Sequence, residues 1–236
     1  MLLCCYLISV SLETQAEEKD MDVMETIKAS KIIAIVRGLK KEFIAPFAQA
    51  LYDGGISMIE VTFDQAHPDC WKETAQAIER LRAGFDGRVC VGAGTVLTQE
   101  QLELAQRAGA EYIISPNTNP GIIQRTRELG LCSLPGVMSP TEAVLAHDYG
   151  ANAVKIFPAS VLGVGYFKAL KAPLPHIDML AVGGINEKNA ADYLRASAIG
   201  LGVGGSLTKR ELIESGAFDQ ITALAAMYAR AIHPNS

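Results

Sequence analysis

Lys155 stands in the run Ala153-Val154-Lys155-Ile156-Phe157-Pro158, a cation among apolar residues of the kind that build a buried strand of a parallel sheet. Burial disfavours an ammonium ion and lowers its pKa from a reference of about 10.4. A neutral amine there can attack a carbonyl carbon and form an imine. On these residues alone the alternatives are a lysine paired with a buried carboxylate, or one that extends its amine to solvent. A second group bears on the choice. In Met58-Ile59-Glu60-Val61-Thr62-Phe63 the strand period of two puts Glu60 and Thr62 on one face, and Ile59, Val61 and Phe63 on the other. Lys155 and Glu60 therefore share one interior if their strands close into one barrel, either as a structural ion pair or as an amine and a proton carrier.

The elements that would position them recur along the chain. From Lys31 onward, short β-branched runs at residues 32–37, 58–63, 89–95, 112–116, 131–137, 153–158, 179–184 and 199–206 alternate with helix-like stretches at 42–53, 68–82, 99–108, 121–129, 141–149, 165–171 and 187–196. Eight β-α units predict a (β/α)8 TIM barrel of the α/β class. Glycine-led steps into the next strand, as in Asp53-Gly54-Gly55 and Tyr149-Gly150-Ala151, fit αβ loops with a glycine C-cap. An open doubly wound sheet is the other candidate, but Arg37-Gly38-Leu39-Lys40 lacks the glycine fingerprint expected after its first strand. A short amphipathic helix opens the domain near Met21. The expected organisation is an extension over residues 1–20 and a single domain over 21–236.

In such a barrel the C-terminal strand ends converge on one mouth. Arg37, Thr62, Gly94-Thr95, Gly183-Gly184 and Gly204-Gly205-Ser206 occupy those ends. The glycine pairs after strands seven and eight offer bare backbone amides and one hydroxyl, which suits a phosphate cradle; tight turns alone would also use glycine. Phe157 and Pro158 are placed to wall the lysine pocket or simply to pack.

Bulk properties exclude several classes. The 236 residues are 49% hydrophobic and 20% charged, enough for one sizeable core. A net charge of -5 with no basic run argues against nucleic acid or an anionic membrane as partner. The apolar N-terminal residues 1–12 lack a basic flank and are too short to span a bilayer. Five cysteines without paired metal spacing point to a reducing, cytoplasmic setting, with Cys90 and Cys132 as core thiols. His67, His147, His176 and His233 show no ligand spacing, so neither a metal nor another cofactor is expected. His67 sits in a strand-to-helix loop with Asp64 and Gln65, where a solvated role outweighs a substrate contact.

Several ordered motifs carry a resemblance over residues 24–207: Ile59-Glu60-Val61-Thr62, Val91-Gly92-Ala93-Gly94-Thr95-Val96-Leu97, Ile114-Ser115-Pro116, Pro135-Gly136-Val137, Val154-Lys155-Ile156-Phe157-Pro158 and Val182-Gly183-Gly184-Ile185. They resemble the 2-keto-3-deoxy-6-phosphogluconate/galactonate (KDPG/KHG) aldolases. The resemblance implies a metal-independent class I aldolase, commonly a homotrimer, that cleaves a phosphorylated 2-keto-3-deoxy sugar acid to pyruvate and glyceraldehyde 3-phosphate. Lys155 matches the family's Schiff-base lysine, Glu60 its general acid/base, and Thr95 a contact to the pyruvoyl part; Gly94 and Phe157 join that group. Gly183, Gly184, Gly205 and Ser206 would hold the phosphate. The chain departs from gluconate-type members at Asp64, where those carry arginine, and at Val182, where many have threonine. Arg37 would supply the carboxylate-binding cation instead, a layout similar to galactonate-type members. Open alternatives are cleavage of 4-hydroxy-2-oxoglutarate as the main activity, a phosphate-binding-barrel isomerase or synthase, and a non-catalytic phosphosugar-binding protein.

Overall fold

The computed structural model describes residues 23–232; the expected extension over residues 1–20 and His233 lie outside the described residues. The chain runs through α1 (residues 23–30), β1 (Ile32–Arg37), α2 (Ile44–Asp53), β2 (Met58–Thr62), α3 (Trp71–Phe85), β3 (Cys90–Gly94), α4 (Gln99–Arg107), β4 (Tyr112–Ile114) and α5 (Pro120–Glu128). It continues with β5 (Cys132–Leu134), β6 (Gly136–Val137), α6 (Pro140–Asp148), β7 (Val154–Ile156), α7 (Ala159–Lys171, interrupted at Gly163), β8 (Met179–Val182), α8 (Ala190–Arg195), β9 (Gly200–Val203), α9 (Arg210–Glu214) and α10 (Phe218–Ile232). The strands pair in parallel in the order β5-β4-β3-β2-β1-β9-β8-β7-β6.

The terminal strands of that order, β5 and β6, are consecutive in sequence and flank Pro135. They are the two halves of the expected fifth strand. Proline has no N–H to give to a ladder, so the strand breaks there. Its first half pairs with β4 and its second with β7, while the Pro135 carbonyl accepts from the Lys155 N–H at 2.8 Å. The break thus closes the (β/α)8 barrel, and nine strands replace the eight expected. Strands also stop short of their expected ends, at Thr62, Gly94, Ile114, Ile156, Val182 and Val203. The residues left over are loops at the mouth. Helices α9 and α10, unanticipated, complete the outer ring. Gly54 lets α10 lie against α2, since a Cβ there would run into Ala225 and the Thr222 carbonyl oxygen.

Strand alternation divides the core in two. Outward residues such as Ala34, Val36, Ile59, Val61, Val91, Val154 and Ile156 pack under the helices. Inward residues Ile33, Met58, Tyr112, Ile114, Cys132, Leu134, Leu180 and Val182 fill the lumen, and Val23, Met24 and Ile27 of α1 plug its N-terminal end. The thiols are held neutral by burial, with Cys132 pushed up to about 12 and Cys90 raised further, helped by the nearby Glu111. The lumen leaves little spare volume. Gly92 faces the Tyr112 ring, which occupies the space a Cβ would need. Gly92→Ala should therefore overpack the lumen and lower stability by roughly 1–3 kcal/mol. Urea denaturation reads this directly; an unchanged midpoint would show that the ring has room to move.

Candidate active site

Above the apolar plug the lumen opens into a cavity of about 380 Å³ at the C-terminal strand ends. Lys155 and Glu60 rise into it from β7 and β2, with only 6% and 2% of their surface exposed. Each is there because it is the inward member of an alternating strand whose neighbours, Val154 and Ile156 or Ile59 and Val61, belong to the outer core. Glu60 fits because Gly94, facing it from β3, has no Cβ; one built there would collide with the carboxyl group. Gly94 thus makes room, by its lack of a side chain, for the Glu60 carboxyl.

Burial raises the Glu60 pKa, and the charges of Lys155 and Arg37 offset this only in part. Burial likewise lowers the Lys155 pKa, with Arg37 adding to the effect and Glu60 opposing it. Both shifts favour neutral forms, the nucleophilic state of an amine and the proton-donating state of a carboxyl. Lys155 Nζ lies 4.8 Å from the centre of the Phe157 ring, itself partly exposed at the rim. Among the described residues, Glu60 Oε2 is a buried oxygen with no hydrogen-bond partner. An acceptor left so is a demand for a donor that enters the cavity.

The remaining walls are polar backbone and small side chains. Arg37 and Thr62 face each other across β1 and β2; the guanidinium Nε donates to Thr62 Oγ1 at 3.1 Å, and the hydroxyl donates to the Val36 carbonyl at 3.3 Å. This fixes one edge of the guanidinium and leaves the other toward the cavity that Arg37 lines. Thr95 also lines the cavity from the corner after β3. Gly183 and Gly184 follow β8 with φ of 95° and 73°, values that glycine adopts freely. They press close to the β7–α7 junction, Gly183 near the Phe157 ring and Gly184 against the Ser160 side chain in the first turn of α7. Gly205 and Ser206 complete the facing loop after β9. The Ser206 hydroxyl donates to the Ile185 carbonyl at 2.8 Å, so it ties the two glycine loops together and offers lone pairs rather than its proton.

Asn186, absent from the expected set, also lines the cavity, and Asn189 organises that loop by accepting from the Asn186 N–H at 2.9 Å and donating to the Gly184 carbonyl at 2.9 Å. Side-chain amides following a glycine pair at a helix start were the available signal. Ile35, Pro116 and Val182 form the apolar wall. His67 points away to solvent and pairs with Asp64 at 3.1 Å, which raises the histidine pKa and lowers that of the aspartate. Among the described residues no cluster of His, Cys, Asp and Glu is arranged to hold a metal ion, and no helix is long and apolar enough to cross a membrane.

A buried amine, a buried carboxyl, a fixed guanidinium and paired glycine loops form a site for imine chemistry on a small anionic keto compound. Comparison with known proteins agrees. The chain is 39% identical over 179 residues to "Probable 2-dehydro-3-deoxy-6-phosphogalactonate aldolase" of Rhizobium meliloti, covering 75% of this chain and 82% of that one. It is 36% identical over 205 residues to the 2-dehydro-3-deoxy-phosphogluconate aldolase of Treponema pallidum, covering 86% and 94%. It superposes on KDPG aldolase from Legionella pneumophila, a structure holding pyruvate as a covalent carbinolamine, with a TM-score of 0.78 and 30% identity over 86% of this chain and 96% of that one. The family model "KDPG and KHG aldolase" matches residues 23–224. The protein is an aldolase, a carbon–carbon lyase, and it belongs to the KDPG and KHG aldolase family.

Proposed function

We propose that Lys155 is the imine-forming residue and Glu60 the proton carrier of a class I aldolase acting on 6-phosphorylated 2-dehydro-3-deoxy sugar acids. The carrying observation is that one cavity holds both groups, each buried and each biased toward its neutral form. The Lys155 amine adds to the C2 carbonyl carbon to give a carbinolamine; the neutral Glu60 carboxyl gives its proton to the departing hydroxyl, so that loss of water leaves an iminium and a Glu60 carboxylate. Glu60, directly or through a water, takes the C4 hydroxyl proton; the C3–C4 electrons then move into the iminium, releasing glyceraldehyde 3-phosphate and an enamine. Glu60 returns the proton to C3, and water hydrolyses the resulting imine to pyruvate. Arg37 pairs with the substrate carboxylate, Thr95 contacts the pyruvoyl part and Phe157 shields the imine. The backbone amides of Gly183, Gly184, Gly205 and Ser206 cradle the phosphate.

Within this reading the galactonate epimer is preferred and the gluconate epimer accepted. Support comes from Arg37 on β1 in place of a cation after β2, from Val182 on the cavity wall, and from similarity to relatives named for either sugar. The homotrimer is also part of the proposal. Val161 and Met138 are 79% and 52% exposed, and Val144, Leu145 and Tyr149 are further exposed large apolar side chains on or beside α6 and α7, whose units are joined by a hydrogen bond from the Tyr166 hydroxyl to the Met138 carbonyl. Exposed apolar surface gathered on two neighbouring units supports an interface there. A cytoplasmic setting fits the free thiols of Cys70, Cys90 and Cys132.

Sodium borohydride with pyruvate should leave an adduct on Lys155, located by peptide mass mapping, and Lys155→Met should show neither adduct nor cleavage. Trapping elsewhere would overturn the assignment. Because the Glu60 charge raises the Lys155 pKa, Glu60→Gln lowers it further, and the rising limb of trapping rate against pH should move to lower pH. A limb that stays or moves up would break the coupling. Val182→Thr should raise the gluconate-to-galactonate ratio of kcat/KM by roughly tenfold, the worth of one added hydrogen bond; an unchanged ratio would remove Val182 from sugar selection. Light scattering should give three times the 25.2 kDa of the chain, and Val161→Asp should weaken the assembly by at least about tenfold. A monomeric wild type would end the trimer proposal.

A further inference from the structure

Thr95 has a φ of 57°, a left-handed conformation that crowds a β-branched side chain. Such a corner persists only where its surroundings hold it. Both flanks are fixed: the Gly94 carbonyl accepts from the Phe63 N–H at 2.9 Å, and the Val96 N–H donates to the Ile114 carbonyl at 3.2 Å. The Thr95 carbonyl itself accepts from Gln65 Nε2 at 2.8 Å, across from the β2–α3 loop. Gln65 Oε1 in turn accepts from Gln101 Nε2 at 3.1 Å. Gln101 is fully buried at the start of α4, and its Oε1 accepts from the N–H groups of Leu97 and Thr98 at 2.8 and 3.2 Å. Two backbone donors claim that oxygen, so the Gln101 amide must turn its NH2 outward. Gln65 must then present its oxygen to Gln101 and its NH2 to Thr95. The amide relay has one direction.

We propose that Gln65 is a positioning residue that acts through Thr95, holding the left-handed corner that sets this threonine on the cavity wall. Gln101 orients Gln65, and Gln65 delivers the donor. The other polar residues of its loop, Asp64 and His67, pair with each other on the solvent side and take no part in the relay. Neither Gln65 nor Gln101 lines the cavity, so their effect reaches the substrate only through the corner they hold.

This rests on the aldolase reading with Thr95 as a substrate contact, and a double-mutant cycle separates the two. Gln65→Glu keeps the size of the side chain but leaves a carboxylate that cannot donate to the Thr95 carbonyl; Gln65→Met removes donor and acceptor together. Both should lower kcat/KM for aldol cleavage, and the rate of pyruvate trapping on Lys155, by roughly tenfold in the wild-type background. In Thr95→Ala, which lacks the hydroxyl to be positioned, either change should cost less than about twofold more. Equal losses in both backgrounds, or no loss in the wild type, would overturn the proposal, and thermal unfolding of all variants shows whether any loss is simply of folded protein. A wild type that forms no pyruvate adduct would instead sink the imine mechanism proposed for Lys155, and this proposal with it.

Discussion

Everything at the mouth of this barrel depends on keeping an amine and a carboxyl out of water together. Among the described residues no carboxylate comes within ion-pair distance of Lys155, although Glu60 shares its cavity and influences its pKa. A tight pair would satisfy both charges and leave two inert ions. Separation inside a common low-dielectric space does the opposite: each group feels the other, neither is neutralised by contact, and desolvation remains the largest cause of both shifts.

That separation is built from volume. The lower lumen is filled by Met58, Tyr112, Leu134 and Leu180 and plugged by α1, so water has no route from below. Glycines of β3 replace side chains where a larger group must fit, at both levels of the lumen. Gly94 makes room for Glu60 and Gly92 for Tyr112, whose buried hydroxyl also lacks a partner among the described residues. A glycine within a strand weakens it, yet these sit in a strand bonded on both sides by parallel neighbours, where the ladder bears that cost.

The loops show a complementary strategy. They turn backbone atoms toward the cavity, and side chains such as Asn189, Ser206, Gln65 and Gln101 spend their hydrogen bonds on holding that backbone. Thr95, Gly183 and Gly184, all on the cavity wall, take positive φ values that turn the chain sharply there. Rigid amides at the end of a strand give an anion fixed dipoles without the desolvation of a further charge, which suits a site whose two ionisable groups already tune one another.

Much of this was legible in the chain. Strand period two by itself assigns Lys155, Glu60 and Thr62 to the lumen and their neighbours to the outer core, because each strand carries one apolar face under the helices. The spacing of β-branched runs yields the barrel, and the glycine pairs point to the mouth. Other features were decided only in three dimensions. The split at Pro135 depends on which neighbour each half-strand meets; α10 depends on a helix face finding Gly54; and the function of Gly94 is to be empty beside a residue 34 positions earlier in the chain. The relay from Gln101 to Thr95 joins three segments, and of it only the Thr98–Gln101 capping box is written in a local pattern. Periodicity reports which way a side chain points, since that follows from backbone geometry alone, whereas contact across strands and loops depends on closure of the barrel, which no single segment encodes.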